Sequence, residues 1–438
     1  MIQNQNFENK CLRDIASKNK FSIVDGPFGT QLHASEYQEE GIPVVRVVNT
    51  TYEGRFDSRK LVFISLKKAN SLKRSEVKPG DIVIAKTGAT IGKSGIFPDT
   101  FKRGIIASSC IKISVDTEIA DCRYVNYLIQ SHEGQNKITD AAGGSTRTTI
   151  NTKPFGDIRF NFPSYKEQTQ IAVILTSIDR AIEQTEGIIV KQKRIKTALL
   201  QNLLTKGIDE HGNIRSEVTH EFKNSPLGRI PVVWKVKTLR EIGKWFSGGT
   251  PSKTNEAYWD GIIPWVCPKD MKVFDLHGTI EMISEKGATY GSKRMPANSV
   301  FIVVRGMILA HSFPVCFSHR EMAFNQDVKA IISNDEIESR YLAYWFVANS
   351  SRLLRIVTTS THGTKRLDMH ELLEVNLSYP QRKEQIQIIS LLDNVERNIE
   401  LNHKQLLKLR AQKTGLMQDL LTGKVRVTNL LDQPFTPT

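Results

Sequence analysis

From Ile171 onward the apolar residues recur in alternating steps of four and three, through Ile171, Leu175, Ile178, Ile182, Thr185, Ile189, Gln192, Lys196, Leu199 and Leu203. That spacing keeps them on one stripe of an α-helix and reads as the seam of a coiled coil. The stripe returns as Ile388, Leu392, Val395, Ile399, Asn402, Leu406, Leu409, Lys413, Leu416 and Leu420. Each follows a proline, Pro163 or Pro380; Ser164 with Glu167 forms a capping-box pattern, and Gly423 offers a stop. A helix of about 40 residues is about 60 Å long, and so narrow a stripe needs a partner to be stable. Ordinary core packing is the plainer explanation; duplication favours the helices pairing with each other.

The duplication is visible without gaps. Residues 163–205 and 380–422 share 18 identities in 43 positions at an offset of 217. Weaker echoes precede both copies: LRDI at Leu12 and LREI at Leu239, FGT at Phe28 and GGT at Gly248, GIPVVRVVN at Gly41 and GIIPWVCPKD at Gly261. Strand-like runs at Val44–Val48, Asp81–Ala85 and Ser299–Val304 alternate with Gly-rich turns, and short helical patterns occupy Tyr124–Gln130 and Tyr341–Ala348. The fold class is therefore α/β (mixed α+β), with two strand-rich globular blocks alternating with two long helices. The blocks are 1–162 and 223–379; the helical segments, with linker or tail, are 163–222 and 380–438. Two like units in one chain close most simply about a pseudo-dyad, which makes the helices antiparallel. Thr185 and Asn402 interrupt the seams, where polar residues either fix register or mark a solvated stretch.

A length of 438 residues, with 39% hydrophobic and 24% charged, excludes wholesale disorder and requires more than one core. The opening MIQNQNFENK lacks a signal pattern and no run is long and apolar enough for a membrane helix, so a soluble cytoplasmic chain is expected. Cys11, Cys110, Cys122, Cys267 and Cys316 are widely spaced without a CxxC pair, which gives neither a disulfide framework nor a zinc ribbon. The net charge is +14; residues 1–162 carry 23 basic and 17 acidic residues, residues 223–379 carry 20 and 15, and residues 163–222 carry 8 and 8. The excess thus sits on the globular blocks, as two readers of one polyanion require.

Catalytic sets fail one by one. GATIGKS at Gly88–Ser94 has three residues between its glycines where a phosphate loop has four, and Gly95 and Pro98 bar the helix that loop needs. It reads as a tight turn. Asp57 with Glu76 and Lys78 superficially fits a metal-dependent nuclease, but Pro79–Asp81 turns at once into a strand. His311 and His319 lack zinc spacing, and there is no HExxH. The chain also lacks the Asn/Asp-Pro-Pro-aromatic string with which adenine and cytosine methyltransferases grip a flipped base. What remains is a binder without chemistry of its own.

The layout, the Lys-Glu-Gln triplets at Lys166 and Lys383, GLMQDLLTGKVRV at Gly415–Val427, GIPVVRVVN, GATIGKSGIF and GRIPVVWKVKTLREI together resemble the specificity subunit of type I restriction-modification systems. The resemblance covers nearly the whole chain. It implies target recognition domains at 1–162 and 223–379, each reading one half of a split, asymmetric sequence in double-stranded DNA, with the paired helices as a ruler. It also implies two modification subunits that carry S-adenosylmethionine, restriction subunits that use ATP and Mg, and no catalytic site, metal or cofactor in this chain. The rivals are a DNA methyltransferase or nuclease with diverged motifs, and a coiled-coil scaffold that ignores DNA.

Arg147 in GGSTR and Arg366 in HGTKR, with neighbours Thr146 and Lys365, occupy comparable Gly-rich loops and are candidate DNA contacts, able to grip guanine or phosphate or simply to be surface arginines. Gly29, Thr30 and Gln31 with Gly249, Thr250 and Lys253 form a second loop pair. Lys86, Thr87 and Lys93 with Arg305 and His311 form a third. Trp259 and Trp265 are read as core rather than as base-stacking surfaces.

Overall fold

The computed structural model describes residues 7–143, 149–359 and 363–430. The chain divides into two compact units, residues 1–186 with 405–438 and residues 187–404. The long helices are continuous over Tyr165–Leu203 and Arg382–Leu421, so each gives one half to each unit. The sequence blocks follow the repeat, whereas the units cut across both helices.

In the first unit the strand Glu8–Cys11 pairs antiparallel with Arg159–Phe162. One four-stranded antiparallel sheet has the order Ile23–Asp25, Cys110–Ile113, Ile82–Ala85, Ser94–Ile96. A second runs Val62–Ile64, Ile42–Val45, Gly104–Ile106, Glu76–Val77, with its middle pair parallel. The expected strand Val44–Val48 ends early: after Val45 the chain tightens into a 3-10 turn, because the side-chain amide oxygen of Asn49 accepts from the amide of Arg46. The helix Cys122–Gln130 lies over the first sheet and buries Tyr124, Val125, Leu128 and Ile129.

The second unit repeats this plan with hardly any of the same residues. Lys235–Thr238 pairs with Asn376–Tyr379. Its first sheet runs Gly243–Ser247, Val328–Ser333, Val300–Val303, Val315–Ser318 and adds Asp275–Leu276 at the edge. The other runs Met282–Ile283, Ile263–Val266, Met322–Phe324, Lys293–Met295, again parallel in the middle. Helix Ser339–Ala348 buries Tyr341, Tyr344, Trp345 and Phe346.

Within each unit the two helix halves run antiparallel. In the first, Lys413 pairs with Asp179 at 2.7 Å, Arg410 with Glu186 at 2.8 Å and Arg426 with Glu167 at 2.6 Å. In the second, Lys196 pairs with Glu396, and Arg215 with Glu384 at 2.5 Å. Lys413–Asp179 and Lys196–Glu396 are the same pair under the 217-residue offset. All twenty seam positions are buried or half-buried. The seam ends do more than pair helices: Ile171, Leu175 and Leu420 enter the first globular core, and Leu203, Ile388 and Leu392 enter the second.

The polar interruptions differ. Asn402 donates across to the Gln192 side chain at 3.2 Å, as a register-fixing residue should, whereas the Thr185 hydroxyl donates back to Ala181 O of its own helix at 2.7 Å. The capping box is half realised. Ser164 Oγ accepts from the amide of Glu167, but the Glu167 carboxylate faces Arg426 and the amide of Val427. Gly423 ends the second helix as expected, at φ +71° with its amide on Leu420 O.

Candidate nucleic-acid interface

The two globular domains each present an edge where one sheet strand runs on into a Gly turn and is joined by a returning segment. In the second domain the strand Val300–Val303 continues to Arg305, and Gly306 turns at φ +136°, a backbone that favours glycine. The hairpin Val357–Thr359 with Lys365–Leu367 returns against it: Leu367 N donates to Val304 O and Gly306 N to Lys365 O, both at 2.9 Å. An antiparallel bridge then sets Arg305 directly beside Arg366. The Arg305 side chain is 59% exposed, with Asp327 at 4.0 Å, and Lys365 Nζ donates to Thr359 Oγ1 at 2.8 Å.

The neighbouring strand adds a residue that periodicity did not single out. Lys329 sits between Ser247 and Ile302 in the sheet and donates to the Ser247 hydroxyl. Burial, and then the positive charge of Arg366, hold its pKa below the ordinary lysine value. The available signal was a lone lysine inside the apolar run of the strand VKAIIS. Close by in the chain, Gly249 N donates to Phe324 O, and the Thr250 hydroxyl donates to Gln326 Oε1 at 2.5 Å. Lys253 turns elsewhere, over the Trp259 ring at 5.2 Å and 3.7 Å from Glu281. His311 is exposed where the turn Met307–Ala310 ends.

The first domain builds the same frame with other side chains. Thr87 bridges to Thr149 as Arg305 does to Arg366, and Ile150 N donates to Lys86 O. The backbone therefore matches Arg366 with Thr149; Thr146 and Arg147 lie outside the described residues. Lys86 is 13% exposed and is bound to Asp25 at 3.1 Å, a carboxylate that also accepts from Arg74 at 2.9 Å. Lys93 lies over the Tyr52 ring at 5.1 Å, and the Tyr52 hydroxyl donates to Ala89 O at 2.6 Å. Gly29, Thr30 and Gln31 form an exposed turn beside Phe28, which is 69% exposed.

The rejected chemistry stays apart. GATIGKS is a 3-10 turn at Gly88–Thr90 followed by the strand Ser94–Ile96. Asp57 caps the turn Ser58–Lys60 and binds Arg59, while Glu76 binds Arg103 at 3.1 Å. Among the described residues no group of three or more His, Cys, Asp or Glu side chains is placed to hold a metal ion. All five cysteines are free, and burial pushes the thiols of Cys110 and Cys316 up to about 12, which keeps them protonated. Trp265 is 4% exposed and donates to Gly249 O, and Trp259 packs edge-on to it at 5.1 Å, a structural pair as read from the sequence.

Residues 4–192 and 231–411 both match the sequence profile of the type I restriction modification DNA specificity domain. The chain belongs to that family. Within it, the specificity subunit of the MjaVIII type I restriction enzyme of Methanocaldococcus jannaschii is 25% identical over 373 residues, covering 81% of each chain. The EcoR124I/EcoR124II specificity subunit of Escherichia coli is 35% identical over 215 residues, 46% of this chain and about half, 53%, of that relative. The fold is shared with the crystal structure of the S subunit of a type I restriction-modification system from M. genitalium, at a TM-score of 0.57 and 15% identity over 96% of this chain and 97% of that one. A chain from a study of complex assembly and conformational transition of the type I R-M system gives the same TM-score and identity, over 96% and 98%. In this family setting the duplicated edge is two DNA-specificity domains on one frame.

Proposed function

We propose that this chain selects the DNA target of a type I restriction-modification assembly and performs no chemistry itself. Each globular domain reads one half of a split, asymmetric duplex sequence, and the paired helices set the unspecified gap. Two modification subunits supply S-adenosylmethionine and methylation, and restriction subunits supply ATP- and Mg-dependent translocation and cleavage. The setting is the cytoplasm; among the described residues no helix is long and apolar enough to cross a membrane.

One observation carries the proposal: the four main strands in each of two sheets keep one order and direction in both domains yet bear different residues at the matched edge, with Arg305 and Arg366 in one and Thr87 and Thr149 in the other. A frame kept while the side chains along its edge change fits two domains that each hold and read DNA in their own way, since phosphate contacts fix where the duplex lies and base-edge contacts from neighbouring loops select. The DNA contacts we assign are Gly29, Thr30, Gln31, Lys86, Thr87, Lys93, Thr146 and Arg147 in the first domain. In the second they are Gly249, Thr250, Lys253, Arg305, His311, Lys365 and Arg366. The test is methylation of duplex DNA by the chain with its modification subunits, with the chain alone in parallel. The expected result is one split motif with both partners present and none with the chain alone. Methyl transfer by the isolated chain, or binding without sequence preference when the partner is present, overturns the proposal.

A further inference from the structure

Strand register matches the two domains residue by residue. Lys329 lies opposite Ser247 on one side and Ile302 on the other; in the first domain Ile111 lies opposite Asp25 and Ile84. With the two backbone bridges, Arg305, Lys329 and Arg366 stand where the first domain has Thr87, Ile111 and Thr149, and Ser247 stands where it has Asp25. The first domain thus has an acid at the matched place, already holding Lys86 and Arg74, while the second sets Arg305 beside Arg366, whose charge also acts on Lys329 of the neighbouring strand. Asp327 is at the long distance of 4.0 Å from Arg305.

Three like charges at one edge repel one another unless an anion joins them. A guanine edge offers neutral acceptors, which satisfy hydrogen bonds but leave the repulsion; a phosphodiester brings the missing negative charge. Resting on the DNA-reading function proposed above, we infer that Arg305, Lys329 and Arg366 form a phosphate anchor of the second domain. The described residues of the first domain do not reproduce it at the matched place. Lys329 is the new member, a positioning residue that fixes where the duplex backbone lies while neighbouring loops read bases. Its pKa lies below the ordinary lysine value through burial first and the positive charge of Arg366 second.

The measurement is the slope of log K against log salt for the full chain with its modification subunits, on a duplex that carries the target found by methylome sequencing. Each phosphate contact contributes about 0.9 to that slope. The triple variant Arg305→Thr, Lys329→Ile, Arg366→Thr installs side chains that the matched frame already carries. It should flatten the slope by about 2 to 3 and leave the methylated motif unchanged. Arg366→Gln alone, at an exposed position, should flatten it by about 1 and covers the case in which the triple variant does not fold. An unchanged slope overturns the anchor, as does a changed base preference at constant slope, which makes the three side chains base readers. Wild-type binding with no sequence preference is a separate result, and it refutes the function rather than the anchor.

Discussion

The two globular domains share every main sheet pairing yet few side chains, whereas the two long helices share 18 of 43 residues. The contrast follows from how many partners each residue must satisfy. In the helices, Gln168 accepts from the amide of Asp121 and donates to Pro163 O, and Gln385 does the same with Glu338 and Pro380. The adjacent glutamates bind an arginine and a backbone amide, Arg426 and Val427 for Glu167, Arg215 and Ile208 for Glu384. The repeated Lys-Glu-Gln triplet is therefore a docking device: its Gln holds the N-terminus of the helix Cys122–Gln130 or Ser339–Ala348, and its Glu clamps the segment that follows the other long helix. A sheet asks less of identity, since backbone pairing builds it and any apolar residue of suitable size fills its inner face. Even shared positions are rewired. Arg123 binds its own helix cap Asp121, whereas the matched Arg340 bridges Asp275 and Asp393.

The strongest way to break this contrast is to exchange a globular block. Replacing residues 223–379 by a second copy of 1–162 should give a methylated motif with two like halves and abolish the original asymmetric one, as read by methylome sequencing. A motif left unchanged in that half would mean that the domains do not read separately. Next in size is the clamp. Arg215 and Glu384 are each only 12% exposed, so Glu384→Ala leaves a buried guanidinium unpaired and should cost about 3 kcal/mol in chemical denaturation. Glu167→Ala should also destabilise, in the first unit, by removing a 1% exposed carboxylate that accepts from Arg426 and the amide of Val427. A loss below about 1 kcal/mol in both would remove the clamp from the explanation of the triplet. A smaller effect separates the two polar seam residues. Asn402→Ala should cost about 1 kcal/mol through its bond to Gln192. Thr185→Val should stay within about 0.5 kcal/mol, because its hydroxyl serves only its own helix.

Periodicity made the helices legible to within a few residues, since a seam of ten places repeated twice leaves little freedom. It also gave the strands at Ile82–Ala85 and Val300–Val303 and the helices at Cys122–Gln130 and Ser339–Ala348. What it could not give was long-range pairing. That Ser247 lies beside Lys329, or that Lys86 is neutralised by Asp25, depends on contacts between residues 61 or more positions apart, which no local pattern encodes. The equivalence of Arg147 with Arg366 was drawn from the likeness of two loop sequences. Backbone bridging instead matches Arg366 with Thr149, because register and not resemblance decides which side chain faces the edge.

The smallest effect is also confined to one domain. Lys237 Nζ and the Tyr379 hydroxyl both donate to the Glu336 carboxylate at 2.6 Å and hold its pKa down at about 2, below the ordinary glutamate value. The folded form therefore binds this proton less readily than the unfolded chain. Its stabilising contribution is complete above about pH 5 and is lost as the pH falls from about 4.5 towards 2. At the matched place the first domain has Ile119 and Phe162, which do not titrate. All five tryptophans, Trp234, Trp245, Trp259, Trp265 and Trp345, belong to the second unit, so their fluorescence follows its unfolding selectively. Glu336→Gln should lower stability slightly at neutral pH and flatten the fall between pH 5 and 2. Added salt should shrink the difference, because the carboxylate is solvent-exposed and screened. Equal acid slopes for the two proteins would show that this trio does not distinguish the second domain from the first.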